Sequence, residues 1–182
     1  MLKLRPYKSC DAQAIAKWVQ DKDVFVKWGG ERFGDHPVSA ETIDQKYRQE
    51  NGDCAEPDNF YPWTAFDGDR IVGHFIMRYI NGDRKLLRFG WVVVDSTARG
   101  RGYGAEMLRL GLRYAFDFLG AEKVGIGVFK NNAPAEKRSK IKGLSMELMA
   151  LKNNSVNTNQ RRAEYISYIE EQEQMKKLGL DK

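Results

Sequence analysis

The stretch VVVDSTARGRGYG, residues 92–104, decides the fold, because it leads from an apolar strand through a glycine loop into a helix. Glycine has no side chain to block a ligand, so the backbone N–H groups of such a loop can point at phosphate oxygens, and the helix dipole adds partial positive charge. Arg99 and Arg101 flank Gly100 and supply countercharge. The stretch therefore predicts a site that holds a polyphosphate.

Two common nucleotide-binding loops do not fit the spacing of these glycines. A Walker A loop ends in Gly-Lys-Ser/Thr, whereas Gly104 is followed by Ala105 and Glu106. A dinucleotide fingerprint reads G-x-G-x-x-G with an acid after the next strand, whereas this loop reads G-x-G-x-G and Glu122 comes before that strand. The alternative is a glycine-rich turn without a ligand, which three spaced glycines beside two arginines disfavour.

Four segments before the loop have the apolar patterns of β-strands. They are residues 2–7, 61–66, 70–80 and 86–95. The turn sequences Asp67-Gly68-Asp69 and Asn81-Gly82 predict that the last three pair as antiparallel neighbours. The continuous apolar run at 91–94 predicts burial on both faces of its strand.

Helices are predicted before and after these strands in the sequence. Asp11 is expected to N-cap a short helix, Ser39 to N-cap a helix that ends near Asn51, and residues 21–38 to form a loop. After the glycine loop, an amphipathic pattern predicts a helix over residues 102–119.

The chain continues with a predicted strand over residues 123–129, which should run parallel to the strand before it because a helix connects the two. A further helix is predicted over residues 133–142, whereas the segment from 144 onward has no clear strand pattern and residues 161–178 favour a helix. This order of elements predicts an α/β fold with a mixed sheet.

Bulk properties exclude several classes of protein. The chain of 182 residues has no apolar run near the length of about 20 residues that spans a bilayer, and residues 1–5 do not resemble a signal peptide, so we expect a cytoplasmic protein without membrane contact. Two cysteines and two histidines show no metal-ligand spacing, so no metal is expected, and no nucleophile turn surrounds either cysteine.

The formal net charge of +5 raises the possibility of nucleic-acid binding. Five basic residues and one acid lie within residues 130–142, so almost the whole excess is local. A patch this compact suits one polyanionic ligand as well as a duplex, and a solvated helix face is a further alternative. We therefore expect no nucleic-acid partner.

The stretch at 92–104 resembles the acetyl-CoA motif of the GNAT N-acetyltransferase superfamily, a strand followed by R/Q-x-x-G-x-G/A, with Arg99, Gly102 and Gly104 at the fixed positions. A second segment, VFKNNAPA at 128–135, is similar to the "VFxxNxxA" segment of that family. The opening residues 4–12 resemble the branch of ribosomal-protein N-terminal acetyltransferases.

The resemblance implies a mostly antiparallel mixed sheet flanked by helices, with a parallel, splayed strand pair around the cofactor site. It implies a GNAT-like domain over residues 1–150 and a divergent, helical segment over 151–182 that belongs to or packs on that domain. The implied activity is transfer of acetyl from acetyl-CoA to the primary amine of a small molecule or a protein N-terminus, by a monomer or a homodimer.

The resemblance also implies roles for individual residues. The strand would pair with the pantetheine arm, the backbone N–H of Val94 would polarise the thioester carbonyl, and the loop would hold the pyrophosphate. Asn132 would hydrogen-bond the arm or cap the following helix. The implied cofactor-binding residues are Val92, Val93, Val94, Arg99, Gly100, Arg101, Gly102, Tyr103, Gly104, Asn132 and Ala135.

The chain departs from the family pattern at the general acid. The family carries a tyrosine near the cofactor sulfur, and Ser139 stands at that position. Ser139 could orient a water molecule, but a serine hydroxyl is a poor acid. This departure raises the alternative of a catalytically weak or inactive acyl-CoA-binding module of the same fold. Its origin has two explanations, a coding sequence that is out of frame from about Glu136 and genuine divergence.

The general base is not assigned by the sequence. A nucleophilic amine must be neutral, so an α-amine with a pKa near 7.7–8.0 needs less help from a base than an alkylamine with a pKa near 10.4. Glu31, Glu41 and His74 are the candidates. Each also has a simpler interpretation, as a surface carboxylate or as a histidine on a strand face.

Overall fold

The computed structural model describes residues 1–52, 59–129 and 144–149. Its strands are β1 (Lys3–Pro6), β2 (Tyr61–Asp67), β3 (Arg70–Ile80), β4 (Asp83–Val94), β5 (Lys123–Phe129) and β6 (Leu144–Met149). Its α-helices are α1 (Ala12–Trp18), α2 (Lys22–Trp28), α3 (Ala40–Gly52) and α4 (Tyr103–Asp117). Short 3₁₀ turns lie at Ser9–Asp11, Gly30–Arg32 and Ser96–Ala98.

The six strands form one sheet in chain order. Strands β1 to β4 are antiparallel, and β4 and β5 are parallel, as a connecting helix requires. The predicted α/β class with a mixed, mostly antiparallel sheet is confirmed. The hairpin turn between β3 and β4 places Asn81 at φ +52° and Gly82 at φ +75°, the left-handed pair that a tight two-residue hairpin requires.

Helices cover both faces of the sheet. One core contains Phe75, Leu87 and Phe89 and is closed by the apolar face of α4. The other contains Ile76, Trp91 and the residues of α1, α2 and α3. The compact unit that holds the sheet runs from Met1 to Leu148. The division into residues 1–150 and 151–182 stays a prediction.

Two local expectations are wrong, each for an identifiable reason, and one segment that the sequence left unassigned forms a strand. Residues 21–38 do not form a loop throughout, because Asp21 accepts a hydrogen bond from the Val24 N–H (3.0 Å) and Gly29 adopts φ +86°, and together they begin and end α2. A strand, β6, lies beside β5 where the sequence showed no clear pattern.

The second wrong expectation concerns Asp11, which does not cap α1 through its side chain. Its buried carboxylate instead accepts two hydrogen bonds from Arg5 (both 2.7 Å), one from the Lys8 N–H (2.9 Å) and one from the Thr64 hydroxyl (2.7 Å). Burial alone would raise the pKa of Asp11, but these hydrogen bonds outweigh it and hold the pKa below its usual value. The network ties the start of α1 to β1 and β2.

A β-bulge interrupts β4. His74 pairs with Val93 and Ile76 with Gly90, so two residues of β4, Trp91 and Val92, stand opposite the single residue Phe75 of β3. The extra residue reverses the faces of the strand. Leu87 and Phe89 before the bulge face α4, whereas Trp91 and Val93 after it face α1 to α3.

Trp91 has φ +46°, a strained conformation for a bulky residue, and its neighbours hold it there. The Trp28 indole N–H donates to the Trp91 carbonyl (2.9 Å). The Tyr47 ring stacks on the Trp91 ring, with centroids 5.5 Å apart and planes 10° apart. Phe33 and Phe60 also contact the Trp91 ring, at centroid distances of 4.7 and 6.2 Å.

Within the described residues, no helix is long and apolar enough to cross a membrane. In the same part of the chain, no group of three or more His, Cys, Asp or Glu side chains is placed to hold a metal ion.

The bulge generates a testable prediction on stability. Trp28→Phe keeps an aromatic ring but leaves the buried Trp91 carbonyl without its donor, so the free energy of unfolding should fall by about 2–3 kcal/mol. Trp18→Phe is the matched control, because Trp18 is equally buried and its indole donates no hydrogen bond in the described parts of the chain. Denaturant unfolding should show a loss about 1 kcal/mol smaller in the control. Equal losses would contradict a special role for this hydrogen bond.

Candidate active site

The candidate site lies where β4 and β5 separate. Their parallel ladder runs from Leu86 and Lys123 to Phe89 and Ile126, and no later pair forms among the described residues. Both strands nevertheless continue, β4 to Val94 and β5 to Phe129. The end of β4 therefore has an edge that no described strand occupies.

The backbone of Val94 points toward this open edge. The Asp95 N–H donates to the Val72 carbonyl of β3 (2.9 Å), and Gly73 is the residue opposite Val94. In an antiparallel ladder, hydrogen-bonded and non-hydrogen-bonded pairs alternate, so the N–H and C=O of Val94 point away from β3. They face the side on which the β5 ladder has ended.

The run at 91–94 is packed on both faces, as its apolar sequence predicts, but not equally. Trp91 and Val93 are buried against the helices α1 to α3. Val92 and Val94 are only half-buried, against the core under α4. The half-buried pair lies on the same face as Tyr103, the first residue of α4.

The glycine loop, residues 99–104, joins this strand region to α4. Gly100 has φ +84° and Gly102 has φ +80°, left-handed conformations that L side chains rarely adopt. A Cβ at either glycine would meet no atom within 4 Å, so the space above the loop is open. Gly104 is buried in the first turn of α4. The loop therefore depends on glycine for its backbone conformation and leaves room for a ligand.

The first turn of α4 carries N–H groups without a side-chain cap. Gly102 occupies the N-cap position and offers no side-chain acceptor. Arg99 and Arg101 are exposed and form no ion pair in the described parts of the chain. Free N–H donors, the positive end of a helix and two arginines make this loop a suitable site for a pyrophosphate.

Polar contacts hold the turn that leads into the loop. The Asp95 carboxylate accepts hydrogen bonds from the Thr97 N–H and hydroxyl (both 2.9 Å) and from Arg70 (2.6 Å). Partial burial alone would raise the pKa of Asp95, but Arg70 and Thr97 hold the pKa below its usual value. The Tyr103 hydroxyl donates to Asp67 (2.8 Å), and the cofactor-binding role of Tyr103 stays a prediction.

His74, one of the three candidate bases, is enclosed in the sheet. It has no exposed surface, and its Nε2 lies 2.7 Å from the Tyr47 hydroxyl. Burial lowers the pKa of His74 to about 3, so the ring is neutral over the usual working range of pH. A general base must lie within hydrogen-bond reach of the amine or of one bridging water, and the enclosed ring offers no such contact. Glu31 and Glu41 are exposed.

The remaining predicted residues lie outside the described part of the chain. They are Asn132, Ala135 and Ser139. The helix predicted over residues 133–142 and the basic residues between 130 and 142 lie outside it as well.

The structure adds two features to the site that the sequence reasoning missed. One is the bulge at Trp91, for which Gly90 inside β4 was an available signal, because an isolated glycine in a strand often marks a bulge. The other is the connection between α2 and α3, which lies over the bulge through Trp28 and Phe33. The sequence signal for α2, the N-cap Asp21 followed by Gly29, was available.

Solved structures with the same fold include acetyltransferases. A spermidine N-acetyltransferase from Vibrio cholerae, in complex with CoA and spermine, is 18% identical, with a TM-score of 0.62 over 75% of this chain and 76% of that one. An aminoglycoside acetyltransferase in complex with coenzyme A is 14% identical, with a TM-score of 0.59 over 76% of this chain and 80% of that one. At these identities the likeness shows the fold.

A family model described as a C-terminal domain matches residues 127–179. A segment translated out of frame would not be expected to match a family of natural sequences. The match therefore favours divergence over a shifted frame from Glu136.

The model of the acetyltransferase (GNAT) domain matches residues 1–140. It confirms the predicted enzyme class, an acetyl-CoA-dependent N-acetyltransferase with an amine acceptor, and acetyl-CoA as co-substrate. The narrower resemblance to the ribosomal-protein branch receives no support from these matches. Since the model covers well over half of the sequence, the chain belongs to the GNAT acetyltransferase family.

Proposed function

We propose that this chain transfers the acetyl group of acetyl-CoA to a primary amine of a small, cationic molecule, at the separation between β4 and β5. The observation that carries the proposal is the juxtaposition of the outward-facing Val94 N–H with the uncapped glycine loop at the start of α4. The strand edge suits a pantetheine arm and the loop suits a pyrophosphate.

Acetyl-CoA would supply an acetyl thioester, whose carbonyl carbon would form a bond to the amine nitrogen as its bond to sulfur breaks. The CoA thiolate would leave, and the amine nitrogen would lose one proton to solvent water. The Val94 N–H is a backbone donor already oriented toward the open edge, so it can stabilise negative charge on the carbonyl oxygen without reorganisation. Arg99 and Arg101 hold the pyrophosphate electrostatically, and the N–H groups of Tyr103 and Gly104 donate to it.

The leaving group places a small demand on an acid. A thiol resembling that of cysteine has a pKa near 8.5, so it can depart largely as thiolate near neutral pH. A positioned acid contributes about 10²–10⁴-fold, and Ser139 in place of tyrosine forgoes most of that factor. We propose that Ser139 orients a water, that Asn132 and Ala135 contact the cofactor arm, and that transfer is slow rather than absent.

Charge distribution favours a cationic acceptor. Residues 21–58 carry ten acids against five basic residues, although the whole chain has a net charge of +5. Several acids of this region are neutralised locally, since Asp23 pairs with Lys27 and Asp44 with Arg48. Glu31, Asp35 and Glu41 are exposed and form no ion pair in the described residues.

Glu31 and Asp35 lie on the connection between α2 and α3, and Glu41 lies in the first turn of α3. Trp28 and Phe33 anchor that connection to Trp91, three residues before the end of β4. A polycationic amine drawn to Glu31 and Asp35 would therefore approach the site from the helix side of the bulge. The spermine bound in the complex of the Vibrio cholerae enzyme is an amine of this class. A protein N-terminus, the acceptor of the ribosomal-protein branch, carries one positive charge and needs no such cluster.

The cofactor site can be tested through its glycines. Gly102→Ala forces a side chain into φ +80° at the start of α4, and the dissociation constant for CoA should rise at least about tenfold as the loop changes conformation. Gly120→Ala is the matched control, with φ +67°, equally open surroundings and a position beyond the far end of α4. Isothermal titration calorimetry measures both. Equal CoA affinity in the two variants would place the cofactor elsewhere.

The acceptor can be tested by removing charge. In the double variant Glu31→Gln, Asp35→Asn, the KM for spermidine should rise about 3- to 10-fold, because each exposed ion pair contributes roughly 0.2–1 kcal/mol. Asp23→Asn removes a carboxylate that already pairs with Lys27 and should leave this KM unchanged. Thiol release under saturating acetyl-CoA measures the rates. A protein acceptor would be favoured instead if the chain preferred a peptide whose N-terminal amine is its only charge, and if the double variant did not change turnover of that peptide.

The pH profile tests the absence of a histidine base. The pKa of His74 is about 3, so this ring does not titrate between pH 6 and 8.5. An alkylamine with a pKa near 10.4 becomes about tenfold more neutral with each pH unit in that range, and kcat/KM should rise in proportion. The profile should therefore be a straight rise in log kcat/KM. A plateau that begins near pH 6.5 would indicate a histidine base after all.

A further inference from the structure

The turn between β2 and β3 contacts the glycine loop region from both sides. Arg70, the first residue of β3, donates to the Asp95 carboxylate and to the Thr97 hydroxyl, both at 2.6 Å. Asp67, the last residue of β2, accepts from the Tyr103 hydroxyl at 2.8 Å. Asp95 and Thr97 precede the loop. Tyr103, near the end of the loop, is the first residue of α4.

These hydrogen bonds belong to one connected network. Asp95 also accepts from the Thr97 N–H and donates its own N–H to the Val72 carbonyl, so the carboxylate fixes the 3₁₀ turn to β3. Asp67 and Arg70 are themselves paired across the hairpin. The glycine loop is therefore fixed near both of its ends, and the contacts at both ends come from a single tight turn of the sheet.

The loop needs such anchors because of its composition. Gly100 and Gly102 have wide conformational freedom, and both adopt positive φ in the structure. A flexible loop loses conformational entropy when it orders around a ligand, and fixing its ends before binding reduces that loss. Within the described residues, the side chains of Arg99 and Arg101 form no hydrogen bond or ion pair with the protein.

We propose that the β2–β3 turn, through Arg70 and Asp67, holds the glycine loop in the conformation that receives the pyrophosphate of acetyl-CoA. The two are positioning residues, which act through Asp95, Thr97 and Tyr103. The inference rests on the proposed function of the loop. It goes beyond it by assigning cofactor affinity to a turn that lies outside the strand and loop of the cofactor motif.

The test compares two acetyl donors. Acetyl-CoA carries the pyrophosphate, whereas S-acetylpantetheine offers the same thioester and arm without it. In Arg70→Met and in Asp67→Ala, the KM for acetyl-CoA should rise about tenfold while kcat stays within about twofold. The kcat/KM for S-acetylpantetheine should not change, because that donor does not use the loop.

Matched controls separate loop positioning from charge and from stability. Arg113→Met removes an arginine from the exposed face of α4, and Asp69→Ala removes a carboxylate from the same hairpin without a described partner. Both should keep wild-type values with both donors. Thermal unfolding of all four variants, with and without CoA, shows which of them fold.

Each outcome decides the inference. If KM rises equally for both donors, the turn only stabilises the fold and the inference is overturned. If KM is unchanged in both test variants, the inference is overturned as well. If the wild-type chain binds CoA but transfers no acetyl group, the transfer proposal fails, and the dissociation constants of CoA and pantetheine then provide the same comparison. A wild-type chain that does not bind CoA overturns the cofactor site and this inference together.

Discussion

The β-bulge at Trp91 is the constraint on which the site depends. One extra residue in β4 interrupts the register with β3 and exchanges the faces of the strand. Before it, the odd-numbered residues fill the core under α4. After it they fill the core under α1 to α3. The last residues of β4 thereby present half-buried side chains and a backbone edge that no described strand occupies, at the place where the ladder with β5 ends.

A strained tryptophan persists only if its surroundings determine it, and here they are aromatic. The ring of Trp91 lies among Trp28, Phe33, Tyr47 and Phe60, and its carbonyl receives the Trp28 indole. The same contacts place the connection between α2 and α3 beside the end of β4. One packing arrangement therefore fixes the strand that we propose to bind the cofactor, and it brings near that strand the segment with Glu31 and Asp35 that we propose to attract the acceptor.

His74 shows how a residue type can mislead when its burial is unknown. Its position on β3, opposite Val93, makes it a reasonable candidate for a base in sequence terms. The structure encloses the ring between Tyr7 and Tyr47, with a hydrogen bond to the second hydroxyl. Charging it there would cost the solvation energy of a buried cation, so the ring supports the packing of Tyr47 against Trp91 rather than proton transfer.

Much of the fold could be predicted from local sequence, because the signals are themselves local. The Asn81-Gly82 turn sets the β3–β4 hairpin, Ser39 caps α3 through the Thr42 N–H (3.1 Å), and the apolar period of α4 matches its buried face. The polyphosphate loop is equally local, since positive φ at Gly100 and Gly102 needs only glycine. These residues determine strand order, the position of the loop and the class of ligand it suits.

The tertiary structure decided what depends on partners distant in sequence. The carbonyl of Trp91 in the bulge accepts a hydrogen bond from Trp28, 63 residues away, and no periodicity in β4 encodes that contact. Asp11 looks like a helix cap in sequence, but Arg5 and Thr64 together offer a buried carboxylate stronger hydrogen bonds than the helix end does. Local backbone conformation follows from residues that are adjacent in sequence. Which face is buried, which carbonyl is satisfied and which histidine is neutral follow only from packing.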